Sequence, residues 1–154
     1  MTDFPDRPMA REAEIEQGYL SHSPVVRIRR KIENGAAEYK LCLKGKGTLV
    51  RSELELPLNA EQYAQLAEML PEAPVRKHFR TYPLPDGHTL ECSWVDEGEP
   101  TAFCYAEVEF ESEEAARRFE VPPDFGREVT EDPSFTMSAY AARKNALRDE
   151  KSRF

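Results

Sequence analysis

Tyr39–Leu58, YKLCLKGKGTLVRSELELPL, alternates along two short runs joined by a glycine-flanked turn, Lys44-Gly45-Lys46-Gly47. On the first run Tyr39, Leu41 and Leu43 point one way, and Lys40, Cys42 and Lys44 the other. On the second, Val50, Ser52, Leu54 and Leu56 share one face, opposite Arg51, Glu53 and Glu55. A period of two is the signature of a strand, and glycines beside a lysine suit a hairpin turn. The stretch therefore predicts a β-hairpin with one apolar face and one face carrying cations and carboxylates together.

The surroundings of the charged face decide its meaning. On an open sheet it meets water; lining an enclosed passage, it becomes a site. Side chains at i and i+2 on a strand stand roughly 6.6 Å apart. Two carboxylates at that distance repel by about 0.6 kcal/mol in water, and by about 2–2.5 kcal/mol at an effective dielectric near 20. In an enclosed setting Glu53 and Glu55 therefore call for a neighbouring cation.

Outward from the hairpin, the chain continues in the same style. Residues 1–10 hold two prolines and read as a flexible lead. Glu12–Leu20 alternates, with Glu12, Glu14 and Glu16 against Ala13, Ile15, Gln17 and Tyr19. Val25–Ile32 is a second strand, with Val25, Arg27 and Arg29 on one face, and Asn34-Gly35 turns it into the central hairpin. After Leu58, Asn59 is a good N-cap for a helix whose stripe is Tyr63, Leu66, Ala67 and Leu70, ended by Pro71 and Pro74. Val75–Tyr82 is a basic strand holding Arg76, Lys77, His78 and Arg80. His88–Asp96 and Ala102–Glu111 follow as strands, the second with Tyr105, Glu107, Glu109 and Glu111 on one face. A short helix spans Ser112–Phe119. Asp132 and Pro133 predict the start of a last helix running to about residue 149.

The sum is a mainly β, α+β chain of about six to eight antiparallel strands with hairpin-length connections and about three helices, a sheet closed or partly open as a barrel. A length of 154 residues fits one domain, residues 1–154, with residues 132–150 as its C-terminal helix. A net charge of −8 with 32% charged residues argues against nucleic-acid and membrane-surface partners. Three scattered cysteines form no zinc or disulfide pattern, and the N-terminus carries no signal-peptide pattern, so the cytoplasm is the expected compartment. The chain shows no P-loop, no G-x-G-x-x-G and no G-x-S-x-G.

The polar faces carry the chemistry. Arginine forks and lysine point charges at Arg27, Arg29, Lys40 and Lys44 suit phosphate oxygens. Paired carboxylates at Glu53/Glu55 and Glu107/Glu109 suit Mg²⁺ or Mn²⁺, which bind through few protein oxygens when phosphates and water supply the rest. Each pair taken alone reads equally well as a solvated strand face.

The order of the pieces is more specific than any one of them. The segment from Ile15 to Ala142 resembles the CYTH family, the triphosphate tunnel metalloenzymes. The likeness rests on IEQGYLS (Ile15–Ser21), VRIRRK (Val26–Lys31), LKGKG (Leu43–Gly47), RSELEL (Arg51–Leu56), LPDG (Leu84–Gly87), AEVEFES (Ala106–Ser112) and FGREVTEDP (Phe125–Pro133). It is nearest to the small bacterial members that hydrolyse inorganic tripolyphosphate. The resemblance implies an eight-stranded antiparallel barrel with a polar tunnel. It implies phosphate binding by Arg27, Arg29, Lys44 and basics among Lys77–Arg80, and metal binding at Glu53, Glu55, Glu107 and Glu109. The ligand implied is a small triphosphate-containing molecule.

Three departures accompany it. The family's first strand, E-x-E-x-K, has no counterpart before IEQGYLS, which leaves a sheet edge that a homodimer would cover. Either a further strand is encoded upstream of Met1, or the protein has diverged toward anion binding with weak or no catalysis. ECSWVD offers Ser93, or a shifted Asp96, where the family usually has an aspartate. Ser138 stands where the last helix often supplies a lysine, with Lys144 further along. The readings carried forward are a metal-dependent triphosphatase, a non-catalytic polyphosphate- or nucleotide-binding module, and activity like that of a thiamine triphosphatase or class IV adenylate cyclase. A β-rich interaction protein with solvated charged faces is the plain alternative.

Overall fold

The computed structural model describes residues 3–46 and 51–152. Its strands are β1 (Arg11–His22), β2 (Val25–Glu33), β3 (Ala36–Lys44), β4 (Glu53–Leu58), β5 (Val75–Pro83), β6 (Thr89–Val95) and β7 (Phe103–Val108). Helices are α1 (Ala60–Glu68), α2 (Glu113–Arg118) and α3 (Met137–Ser152). The strands form one antiparallel sheet in the order β4-β3-β2-β1-β5-β6-β7. Among the described residues no ladder joins β4 to β7, so hydrogen bonding leaves the sheet open there. Gly47 of the expected hairpin turn and Val50 of its second strand lie outside the described residues, as does the end of the basic tail. No described helix is long and apolar enough to cross a membrane.

Two compact units share these elements, residues 1–15 with 76–128, and residues 16–75 with 129–154. In the second, Asn34 and Gly35 both take positive φ, 50° and 77°, the backbone that a two-residue hairpin between right-twisted strands demands. The β2–β3 register that follows pairs Ile28 with Leu41 and Val26 with Leu43, and β3–β4 pairs the same leucines with Leu56 and Leu54. This is the apolar face. Helix α1 lies on it, with the Tyr63 ring 5.2 Å from that of Tyr39. A capping box starts the helix: Asn59 Oδ1 accepts from Gln62 N at 2.8 Å, and Gln62 Oε1 from Asn59 N at 2.9 Å. Tyr63 donates its hydroxyl to Glu16 on β1 at 3.1 Å. Leu70, just beyond the helix, fills the space that a side chain at Gly18 would need.

In the first unit, Tyr82, Leu84, Leu90 and Cys92 form the core, joined by Phe4, Ala106, Val108, Phe119 and Phe125. The lead residues 3–10 carry no strand or helix. Even so, Phe4 packs into that cluster, Arg7 pairs with Asp124 at 3.0 Å, and Ala10 N donates to Thr81 O at 2.8 Å.

Two expectations need correction. Asp132 does cap Pro133, but the turn it starts is a single 3-10 turn, Pro133–Phe135. Helix α3 begins afresh at Met137, where Thr136 Oγ1 accepts from Ala139 N at 3.1 Å. Thr136 holds an extended backbone, which separates the two. The strand expected over Ala102–Glu111 stops at Val108, so Glu109 and Glu111 lie beyond it. Ser112, a residue with extended φ and ψ, already caps α2 there.

Candidate functional site

Register builds the charged face of the second unit. Arg27 stands opposite Cys42, and Cys42 opposite Glu55. One rung away Val25, Lys44 and Glu53 line up, and on the other side Arg29, Lys40 and Pro57. Adjacent strands lie about 4.8 Å apart, so Arg27, Arg29, Lys40, Lys44, Glu53 and Glu55 share one small face. The cations that the glutamates call for are present. Lys44 Nζ is 3.1 Å from Glu53 Oε1, and Lys40 Nζ is 3.3 Å from Glu55 Oε2.

Burial deepens from the edge strand inward. Glu53 and Glu55 on β4 are exposed, Lys44 is half-buried, and Arg27 is only 7% exposed. Burial works against the Arg27 charge, yet the Tyr19 hydroxyl and Cys42 thiol beside it hold it above its ordinary value. Among the described residues, Arg27 Nε has no hydrogen-bond partner. Lys44 titrates below the usual lysine range, first because it is buried and then because Arg27 is close. At Glu55, burial pushes upward but is outweighed by the hydrogen bond from Lys40, and the carboxyl sits below its ordinary value.

Behind Arg27 stands a polar row on β1 that the sequence reading did not single out. Gln17 and Tyr19, 1% and 3% exposed, occupy the buried face of that strand, and Gln17 Nε2 donates to Tyr19 Oη at 3.2 Å. Burial raises the Tyr19 phenol despite Arg27 beside it. The signal was available: a glutamine and a tyrosine fall in register with Ala13 and Ile15.

The first unit carries the other predicted residues. The β5–β6 and β6–β7 registers put Lys77, Phe79 and Thr81 on the same face as Ser93 and Glu91, and as Tyr105 and Glu107. Lys77, 8% exposed, donates to Tyr105 Oη at 2.5 Å and lies 5.1 Å from its ring centroid. Arg80 does not join Lys77. Three positions along a strand is an odd step, so it points to the opposite face. There it donates to Glu12 at 3.0 Å and covers the Phe4 ring at 4.4 Å. Glu109 falls outside β7, and the carboxylate that actually faces Glu107 is Glu91, directly across the ladder. Asp96, at φ 47° just past β6, instead accepts from Arg76 N at 3.0 Å. Among the described residues no group of three or more metal-ligating side chains is assembled.

With this geometry in view, relatives give it a context. No family model matches the chain. An inorganic triphosphatase of Nitrosomonas europaea is 36% identical over 138 residues, which is 90% of this chain and 89% of the relative. The chain belongs to the CYTH family, the triphosphate tunnel metalloenzymes. A crystal structure of an inorganic triphosphatase superposes with a TM-score of 0.64 at 31% identity, covering 91% of this chain and 88% of that one. A protein from Pyrococcus horikoshii OT3 shares the fold, with a TM-score of 0.51 at 22% identity over 70% of this chain and 69% of its own.

Proposed function

We propose that this CYTH-family chain is a triphosphatase, hydrolysing inorganic tripolyphosphate or a related triphosphate with the help of Mg²⁺ or Mn²⁺. The observation that carries the reading is Arg27, a buried guanidinium whose Nε donor has no partner among the described residues. A buried, unsatisfied donor is costly to leave unpaired, and phosphate oxygens match an arginine fork in charge and geometry. The relative named as an inorganic triphosphatase supports the substrate class.

In this reading Arg27 and Arg29 grip the phosphate chain, and Lys44 adds a point charge from the next strand. A water attacks a terminal phosphorus in line, and the same cations meet the charge that develops on the departing phosphate. Glu53 and Glu55 fit a hard divalent ion in the sparse-ligand mode, with two carboxylates at i and i+2 on one face and phosphates completing the shell. Bound there, the ion would neutralise phosphate charge and acidify a water. Lys40 and Lys44, which now balance those carboxylates, are the groups that an arriving phosphate would draw toward itself. Within the first unit, Lys77, held by Tyr105, shares its face with the carboxylates Glu107 and Glu91. A Mg²⁺-requiring reaction on polyphosphate suits the cytoplasm.

The test is phosphate release from tripolyphosphate with Mg²⁺, with Mn²⁺ and with chelator. Turnover that needs a divalent ion is expected. Absence of release with every metal would end the enzyme reading, and tight binding without release would make the chain a polyphosphate-binding module.

A further inference from the structure

The last residue of β1, His22, is held through both ring nitrogens. Nδ1 lies 2.5 Å from Ser138 Oγ, at the second position of α3. Nε2 lies 3.0 and 2.9 Å from the two oxygens of Glu72, in the loop between α1 and β5. The Tyr19 ring stacks on the imidazole, centroids 5.1 Å apart and planes 18° from parallel. All three polar residues are half-buried. The triphosphatase reading uses none of them.

The two Glu72 oxygens facing Nε2 select the tautomer. Nε2–H donates to the carboxylate, and the Nδ1 lone pair is left to accept the Ser138 O–H. A hydroxyl, its base and the group that orients the base, in one hydrogen-bonded line, is the arrangement that activates a serine. Helix α3 adds donors. The first-turn N–H groups of a helix have no partners within it. Thr136 takes those of Ala139 and Tyr140, through Oγ1 at 3.1 Å and O at 2.9 Å. Ser138 itself stands at the second position of the helix, near its positive end.

We propose that Ser138, His22 and Glu72 form a second reaction centre, in which the serine accepts a phosphoryl group from a donor with a good leaving group. Ser138 Oγ bonds to phosphorus as the bond to the leaving group breaks, and that group departs with the electron pair. The serine proton passes to His22 Nδ1, and the imidazolium rests against Glu72. Water then displaces Oγ from phosphorus, Oγ recovers the proton from His22, and phosphate leaves. A phosphoryl group is favoured over an acyl group because the tyrosine stacked on His22 also meets the Arg27 cation.

Diisopropyl fluorophosphate is the probe, since fluoride is its leaving group and it needs no triphosphatase activity. Intact mass and peptide mapping should place a single adduct on Ser138, absent in Ser138→Ala. His22→Gln should slow labelling by roughly 10²–10⁴-fold, the range for a positioned base. Glu72→Gln, similar in shape, should slow it less, and it carries the comparison if His22→Gln fails to fold. No adduct on the wild type, an adduct elsewhere, or labelling as fast in both variants overturns the proposal. Tripolyphosphate turnover is measured in parallel. An adduct without turnover sinks the triphosphatase reading alone, and turnover with an unreactive Ser138 sinks this one alone.

Discussion

Arg27→Met separates a ligand cation from a structural one, because the two roles move stability and affinity in different directions. Arg27 is 7% exposed, and its Nε has no partner among the described residues. Replacing a buried charged group with an apolar side chain of similar volume removes its desolvation cost, and replacing whole buried ion pairs in this way is often neutral or stabilising by about 1–4 kcal/mol. Against this stands the loss of contacts to Tyr19 and Cys42, about 1 kcal/mol for a typical hydrogen bond. Tyr19 keeps its bond from Gln17, so no new buried orphan appears. The net expectation without ligand is a melting temperature unchanged or raised, at roughly 2–4 °C per kcal/mol for a chain of this size.

With ligand the sign reverses. Charge-assisted hydrogen bonds contribute about 1.5–3 kcal/mol each, so losing one costs roughly 10- to 150-fold in affinity. For the wild type, tripolyphosphate at a hundred times its Kd should stabilise by about 2.7 kcal/mol, and the variant should lose most of that shift. The assay is a thermal melt with and without tripolyphosphate, beside isothermal titration. A variant several degrees less stable without ligand, and unchanged in affinity, would refute the argument: Arg27 would then be a core cation satisfied by Tyr19 and Cys42.

Glu55→Gln removes one hard oxygen from an exposed position, so the melt should stay put while the metal concentration for half-maximal activity rises at least about tenfold. Lys44 titrates low through burial and then Arg27, and a bound anion would raise it again. Tripolyphosphate binding should therefore take up protons and weaken as pH rises through the depressed Lys44 pKa, a dependence that Lys44→Met abolishes in calorimetry. His88 titrates above its ordinary value because of Asp86, then Glu111. Its contribution to stability is full below the unfolded value of about 6.5 and is lost as pH rises through the folded one, so Asp86→Asn should lower the histidine pKa seen by NMR. Gly18→Ala places a methyl 2.4 Å from Leu70 Cδ1, so the half-buried leucine side chain must turn aside, at a cost toward the low end of the about 1–3 kcal/mol typical of overpacking, readable as a lower denaturant midpoint.

Strand faces were legible because alternation is local. Lys40, Lys44, Glu53 and Glu55 fall on one side by counting in twos, and the Asn34-Gly35 turn fixes the register that aligns them with Arg27. Ends were less legible, because several residues compete to cap a helix. Asp132-Pro133 makes a sound start, but Thr136 makes a second one three residues before Ala139 and takes the long helix. Only the folded chain decides between them.

Arg80 and Glu91 show the other limit. A basic run such as Arg76, Lys77, His78, Arg80 has charge on both faces of its strand, and composition does not say which face bears the function. Parity does: Lys77 goes with Tyr105 and Glu107, and Arg80 goes to Glu12 and Phe4. Glu91 lay hidden for the complementary reason. Glu91 is the single charged residue of its own strand, which signals nothing, and its partner Glu107 lies sixteen residues away. The pair exists only through the β6–β7 register. A charged site shared among strands is thus written in two layers, the facing of each side chain in its own strand and the pairing in the turns. Reading the first without the second finds the right strands and only some of the right residues.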